Sequence, residues 1–307
     1  MTTGRRGLLG LAAGVVGEGF AGSGLAAPRR HGPSGEPPPN IIVETHRGKV
    51  RGSSDGEIKV FRGIPYAATT QGANRFHPPR LTKNWPGVRD AVAYGPMCPQ
   101  LPRKRGSYTA SWTYVKEAGE DCLVLNVWTP ALYDQRRRPV MVWLHGGGFS
   151  AGSGSRNVFD GTRLCRRGDV VVVTLNHRLN VFGFLYLNHL GGAEYAESGN
   201  VGMLDIVAAL HWVHDNISAF GGDPGNVTIF GQSGGGAKVS TLMAMPQARD
   251  LFHKAIVESG SDLNALTPEE ATRNALTFLT AVGVKPTELP RLAKLPLDAL
   301  IAGLSKV

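Results

Sequence analysis

Beyond its first residues, this 307-residue chain has no long apolar run, so no later segment is a candidate for crossing a membrane and stable membrane insertion is not expected. Cysteine is scarce. Three in the whole chain are too few for a fold built on disulfides or on cysteine-rich metal modules. No phosphate loop, dinucleotide fingerprint or zinc-ligand spacing occurs; no cofactor or metal is expected, and His177, His211 and His214 read as core or surface histidines. Internal repeats and heptads are missing, which excludes solenoids and coiled coils. Acidic residues are in deficit: 24 Asp and Glu against 33 Lys and Arg leave a net charge of +9. Part of this excess sits in the runs Arg29-Arg30, Arg103-Lys104-Arg105 and Arg136-Arg137-Arg138. These runs are brief and carry no interleaved aromatics, so they read as solvated loops and not as a nucleic-acid surface.

What is present suits a soluble globular protein, with 42% hydrophobic and 19% charged residues and enough length for one large core or two modest ones. Arg5-Arg6 precede an apolar stretch over 7–17, small residues follow up to Ala27, and Gly24 and Ala26 offer small positions for cleavage. With Leu8-Leu9 the pair resembles a twin-arginine export signal, although Gly4 stands where Ser or Thr is usual and Glu18 interrupts the apolar stretch. Residues 1–26 are therefore expected to be an export signal and 27–40 a Pro-rich linker, giving a secreted or periplasmic protein; without the signal it would be cytoplasmic. One disulfide and one buried thiol are reasonable for three cysteines after export, whereas all would be reduced in the cytosol.

From residue 41 the pattern predicts strands at 41–45, 49–52 and 58–62, with a turn at Ser53-Ser54-Asp55-Gly56, as a small antiparallel meander. Residues 72–111, rich in Pro, Gly and Arg, are expected to loop over a surface. Short apolar runs at 123–128, 140–144, 170–175, 227–230 and 255–257 suit strands buried on both faces. Helical spacing lies between several of them, over 203–216 and 235–245, and again at 268–282. Alternating strands and helices predict an α/β fold with a mostly parallel sheet preceded by antiparallel strands.

The pentapeptide Gly231-Gln232-Ser233-Gly234-Gly235 matches G-x-S-x-G, a pattern in which a sharp strand-to-helix turn lifts a serine hydroxyl above a sheet. The glycine and serine content alone gives about 0.3 chance matches, and two more matches exist, centred on Ser54 and Ser150. Context separates them. Ser233 has a buried-strand pattern before it and a helical one after it, whereas Ser54 falls in a turn and Ser150 leads into a Ser/Gly-rich loop. His145-Gly146-Gly147-Gly148-Phe149 follows another strand, and its glycines let backbone N–H groups converge on one point, as an oxyanion hole requires. His145, at the strand end, is expected to orient this loop and not to act as a base. Asp205 on a helix and Asp223 in the turn Gly221-Gly222-Asp223-Pro224 are expected to make structural hydrogen bonds.

These segments together resemble the type B carboxylesterases, the branch of the α/β-hydrolase fold that includes bacterial nitrobenzyl-type esterases and cholinesterases. The resemblance runs from about residue 41 toward the C-terminus. It takes in Phe61-Arg62-Gly63-Ile64-Pro65-Tyr66-Ala67, Gly95-Pro96-Met97-Cys98-Pro99-Gln100 and Glu120-Asp121-Cys122-Leu123-Val124-Leu125-Asn126-Val127. Asn176-His177-Arg178-Leu179 and Gly221-Gly222-Asp223-Pro224-Gly225-Asn226-Val227 extend it. The resemblance implies that Ser233 is the acyl-forming nucleophile, that Gly147, Gly148 and Gly234 supply the oxyanion N–H donors, that Cys98 and Cys122 form the family's first disulfide, and that the substrate is a small-molecule ester. At the elbow Gln232 stands for the usual Glu, and Gly234 for the usual Ala, which would loosen the helix start. In the family the triad acid and histidine lie well beyond the serine. Here the sequence after Ser233 holds one histidine, His253, at the start of a strand and hence at the wrong end of the sheet. The expectation is therefore the N-terminal portion of an esterase, lacking the C-terminal strands, the triad acid and the histidine. The alternative is a catalytically inactive remnant or interaction module on the same fold.

Overall fold

Seven strands form one sheet, and its centre is built from the apolar runs of the sequence. The computed structural model describes residues 41–102, 117–261 and 264–306. The expected export signal, the linker and the basic runs at Arg29 and Arg103 lie outside the described residues. β1 (Ile42–Thr45) and β2 (Gly48–Arg51) form an antiparallel hairpin. β3 (Ser53–Asp55) pairs antiparallel with β4 (Ile58–Pro65), and β5 (Val88–Asp90) runs parallel to β2. The remaining strands are β6 (Val124–Thr129), β7 (Arg138–Leu144), β8 (Val171–Leu175), β9 (Gly222–Gln232) and β10 (Lys254–Glu258). The large sheet has the order β10-β9-β7-β8-β6-β4-β3. Its first four strands are mutually parallel and the rest antiparallel.

The expected meander is thus split. β1 and β2 join β5 in a separate three-stranded sheet, while β3 and β4 edge the large one. Ser53–Asp55 is a strand and not a turn, because Gly56 and Glu57 make the reversal on their own. The expected loop over 72–111 likewise contains β5. The expected turn around Asp223 is already strand: Arg138 pairs with Gly222, and the Asp223 carboxylate accepts from Arg137 at 2.8 Å and from the Gly225 N–H at 2.9 Å.

Both faces of the sheet are covered. Along β8, Val171, Val173 and Leu175 enter the larger apolar cluster, and Val172 enters a smaller one with Ile58, Val60, Trp128 and Cys165. This is the alternation that a strand's period of two imposes. The helices are α1 (Thr162–Gly168), α2 (Asn180–Phe184), α3 (Asn188–Gly191), α4 (Val201–Asn216), α5 (Gly234–Ala244), α6 (Pro268–Ala281) and α7 (Leu297–Leu304). α6 starts at a capping box: the Thr267 side chain accepts from the Glu270 N–H, and the Glu270 carboxylate accepts from the Thr267 N–H. No helix among the described residues is long and apolar enough to cross a membrane.

Two buried ion pairs fix the connections. Arg178, just after β8, grips Asp205 of α4 at 2.6 and 2.8 Å through its guanidinium, and its backbone N–H donates to the same carboxylate at 2.9 Å. Arg75 grips Glu120 and also donates to the carbonyls of Leu292 and Leu295, tying the C-terminal turns to the loops before β6. Asp205 therefore has the structural role expected of it. The expected Cys98–Cys122 bridge is not formed: both are buried free thiols, as is Cys165. The Cys98 thiol donates to the Pro99 carbonyl at 3.7 Å, and its sulfur accepts from the Leu179 N–H at 3.2 Å.

Candidate active site

Ser233 sits at the junction of β9 and α5 with φ 57° and ψ −125°. A side chain rarely adopts this conformation, which costs on the order of 1–3 kcal/mol and persists only where the surroundings impose it. Here they do. The Ser233 N–H donates to the Glu258 carbonyl of β10 at 2.8 Å, and its own carbonyl accepts from the Ala237 N–H at 3.0 Å. The strand is thereby held to its last residue and the helix begins at the next. Gly235 lies so close to β7 that a Cβ there would come within 2.0 Å of the Leu144 carbonyl oxygen. The turn thus tolerates no side chain at that position, and Ser233 is left exposed above it. Of the three matching serines, Ser54 lies within β3 and Ser150 in the loop after β7; Ser233 alone joins a strand to a helix.

The glycine loop leaves β7 beside this turn. Each of its carbonyls has a fixed partner. The His145 oxygen accepts from the Lys238 ammonium at 3.3 Å and the Gly148 oxygen from the same ammonium at 2.6 Å. The Gly146 oxygen is bonded to His145 Nδ1 at 2.9 Å, and the Gly147 oxygen accepts from the N–H groups of Ser150 and Ala151. Farther on, Asn180 binds the carbonyls of Phe149 and Ser150, and the Gln100 amide pairs with both the N–H and the carbonyl of Gly152. In a planar trans peptide the N–H points opposite to the C=O. Fixing the Gly146 and Gly147 carbonyls therefore aims the N–H groups of Gly147 and Gly148 the other way.

Those two N–H groups, and that of Gly234 at the first position of α5, take part in no hydrogen bond among the described residues. They are also close together. A Cβ built on Gly234 would lie 2.5 Å from the N, Cα and O of Gly148. The glycine at 234 thus permits a close contact. Free donors on the glycine loop and at the start of α5, with its partial positive charge, thus lie beside the exposed serine, an arrangement suited to holding a developing oxyanion.

The local titratable groups are held in particular states. His145 is buried, and its Nδ1 must carry the proton because the Gly146 carbonyl can only accept. Burial, then the nearby Lys238 cation, lowers its pKa to about 3. His177 stacks on it with ring centroids 5.0 Å apart, makes the same kind of bond to the Arg178 carbonyl, and is held well below the usual range by burial and then Lys238. Neither ring takes up a proton readily near neutrality. His253 lies beside the middle of β9: its N–H donates to the Val227 carbonyl, and its Nδ1 accepts from the Val227 N–H. Six residues of strand separate Val227 from Ser233, roughly 20 Å. The expectation that His253 is out of reach of Ser233 agrees with this placement.

Lys238, Gln100 and Asn180 are the loop-bracing residues that sequence reasoning did not single out. For Lys238 a signal exists: together with Gly235 and Leu242 it falls on the inward-facing spacing of α5. Gln100 and Asn180 act across the fold on a loop far away in sequence, and no local pattern marks them.

A model described as "Carboxylesterase family" matches residues 39–295 of the chain. The para-nitrobenzyl esterase of Bacillus subtilis (strain 168) is 44% identical over 260 residues, covering 85% of this chain and 52% of that protein. The liver carboxylesterase of Sus scrofa is 42% identical over 267 residues, covering 83% of this chain and 46% of the other. Among solved structures, a carboxylesterase of Geobacillus stearothermophilus superposes with a TM-score of 0.79 at 44% identity, over 86% of this chain and 53% of that one. An esterase from Clostridium hathewayi, described as able to hydrolyse aliphatic aromatic polyesters, gives a TM-score of 0.79 at 44% identity, over 87% and 53%. The chain spans about half the length of the relatives it matches.

Proposed function

The chain belongs to the carboxylesterase family and has its α/β-hydrolase fold, and from that premise we propose that it carries the nucleophile and oxyanion-binding half of a serine ester hydrolase. The observation that carries this reading is the strained backbone of Ser233 beside three unengaged N–H groups, those of Gly147, Gly148 and Gly234. In the proposed reaction Ser233 Oγ attacks the carbonyl carbon of a small-molecule carboxylic ester and its proton passes to a base. The carbonyl π electrons move onto the oxygen, which the three N–H groups hold. Collapse breaks the bond to the alcohol oxygen, which leaves with a proton, and water then releases the acid from the acyl-serine.

Three histidines of the sheet do not suit the role of base: His145 and His177 are turned onto backbone carbonyls, and His253 is bonded to Val227, midway along β9. We assign the base and its carboxylate partner to polypeptide corresponding to the half of the relatives that this chain does not span. A genomic locus whose reading frame runs on into segments with a histidine and an acid supports this assignment; unrelated sequence after an authentic stop codon contradicts it. We also propose export through Arg5-Arg6, with Cys98 and Cys122 joining once outside the cytoplasm. Fusion of residues 1–40 to a reporter tests the export: it should leave the cytoplasm, and replacing both arginines by lysine should retain it.

The activity itself is tested by hydrolysis of p-nitrophenyl acetate by the protein extended with the segment assigned to carry the base, and by the Ser233→Ala form of the same polypeptide. The reading predicts near-complete loss of turnover in the variant; equal rates would refute it.

A further inference from the structure

Resting on the reading of Ser233 as the nucleophile, we infer that Lys238 is a positioning residue for the oxyanion-binding loop, an ammonium staple that holds both ends of the His145–Gly148 segment and thereby sets how well Gly147 and Gly148 can receive negative charge.

The side chain is fully buried, an expensive place for a cation with no charge partner. No ion pair among the described residues includes it. The buried carboxylate of Asp205 on α4 is locked to Arg178, and no carboxylate acts on Lys238, whose state is set by burial alone. Instead the ammonium donates to the carbonyls of His145 and Gly148 and lies 5.0 Å from the centre of the Phe149 ring, so its hydrogen bonds and its ring contact go to the glycine loop. The other titratable groups around it are basic: His145 from the end of β7 and His177 from the end of β8, with Arg156 and Arg178 acting on those rings in turn.

The clamp works at the two ends of the loop. Peptide 145–146 and peptide 148–149 are oriented by Lys238, while the two peptides between them are oriented by His145 Nδ1 and by the N–H groups of Ser150 and Ala151. Lys238 also draws Gly148 onto the start of α5, where Gly234 leaves room for it. Its positive charge beneath the loop adds to the field of the helix N-terminus at the spot where the oxyanion forms. Burial lowers the Lys238 pKa from its ordinary value to about 7. The staple is therefore fully charged below neutrality and weakens as the pH rises through it.

The test uses the protein labelled with nitrogen-15 in glycine, with the amide resonances of Gly147 and Gly148 followed from pH about 5.5 to about 9, a window in which unperturbed Asp, Glu, Tyr and Lys side chains do not titrate. Wild type should show both amides shifting with a common midpoint near 7. Lys238→Met should abolish that titration and speed exchange of the loop amides by about tenfold or more. Labelling of Ser233 by a fluorophosphonate should slow by about tenfold to a hundredfold in Lys238→Met, and Lys238→Arg should restore much of the rate without the inflection. Identical glycine resonances and exchange in wild type and Lys238→Met would overturn the proposal. If Lys238→Met does not fold, the wild-type titration decides alone, and no inflection near 7 counts against the staple. If Ser233 is unreactive in every form, the hydrolase reading falls, while the glycine resonances still report on the clamp.

Discussion

Gly148 sits against Gly234 so closely that a methyl group on Gly234 would come within 2.5 Å of the Gly148 backbone. That contact joins the loop after β7 to the start of α5, and so joins the two backbone segments to which we assign the oxyanion donors.

Gly234→Ala should therefore push the loop away. Backbone atoms have no rotamer to escape into, and ordinary Cβ contacts begin near 3.4 Å, so a shift approaching 1 Å is required. A misplacement of that size in a catalytic site can cost about a hundredfold. The rate of fluorophosphonate labelling at Ser233 should fall by about tenfold to a hundredfold, while the fold, read by circular dichroism, is retained. An unchanged rate would mean that the loop position does not govern reactivity.

Acid should destabilise the protein through the stacked histidines. The folded pKa of His145 is lowered to about 3, and that of His177 lies well below the usual range. The unfolded chain titrates near 6.5, so it binds more protons than the folded one below that pH. The His145 contribution is intact above about pH 6.5 and is lost as the pH falls toward 3, at roughly 1.4 kcal/mol per unit, and that of His177 is lost in the same direction. Urea unfolding at successive pH values should show this loss, and it should be smaller in His177→Gln. Lys238 acts in a different window: its lowered pKa makes stability rise between about 7 and 10.5.

Much of this was legible before the structure, and the exceptions have physical reasons. The buried runs at 140–144 and 227–230 announced central strands because a sheet covered on both faces needs continuous apolar sequence. Ser233 stood out through the order of strand, glycine, serine, glycine and helix, which is local. β3 has the sequence of a turn because Ser53, Ser54 and Asp55 are polar residues at an exposed edge, where pairing with β4 and not burial makes them a strand. Lys238, Gln100 and Asn180 were not seen as loop supports because each acts through backbone carbonyls, which are chemically alike at every position.

Cys98 and Cys122 are adjacent enough for their thiols to hydrogen-bond, and that bond, with burial, raises the Cys122 pKa well above its ordinary value. Thiolate is the reactive form, so air oxidation near neutrality should be slow and a disulfide catalyst should be needed. Mass spectrometry under non-reducing conditions should show a Cys98–Cys122 linked peptide after catalysed oxidation, with Cys165 still free. Pairing of Cys165 with either partner would contradict the geometry.

The central claim is that Ser233 is a nucleophile served by the N–H groups of Gly147, Gly148 and Gly234. Peptide mapping after treatment with a fluorophosphonate, with imidazole added to accept the serine proton, tests it most directly. The account predicts one adduct, on Ser233, formed faster with imidazole and absent from Ser233→Ala. An unmodified Ser233, or labelling that survives Ser233→Ala, would contradict it.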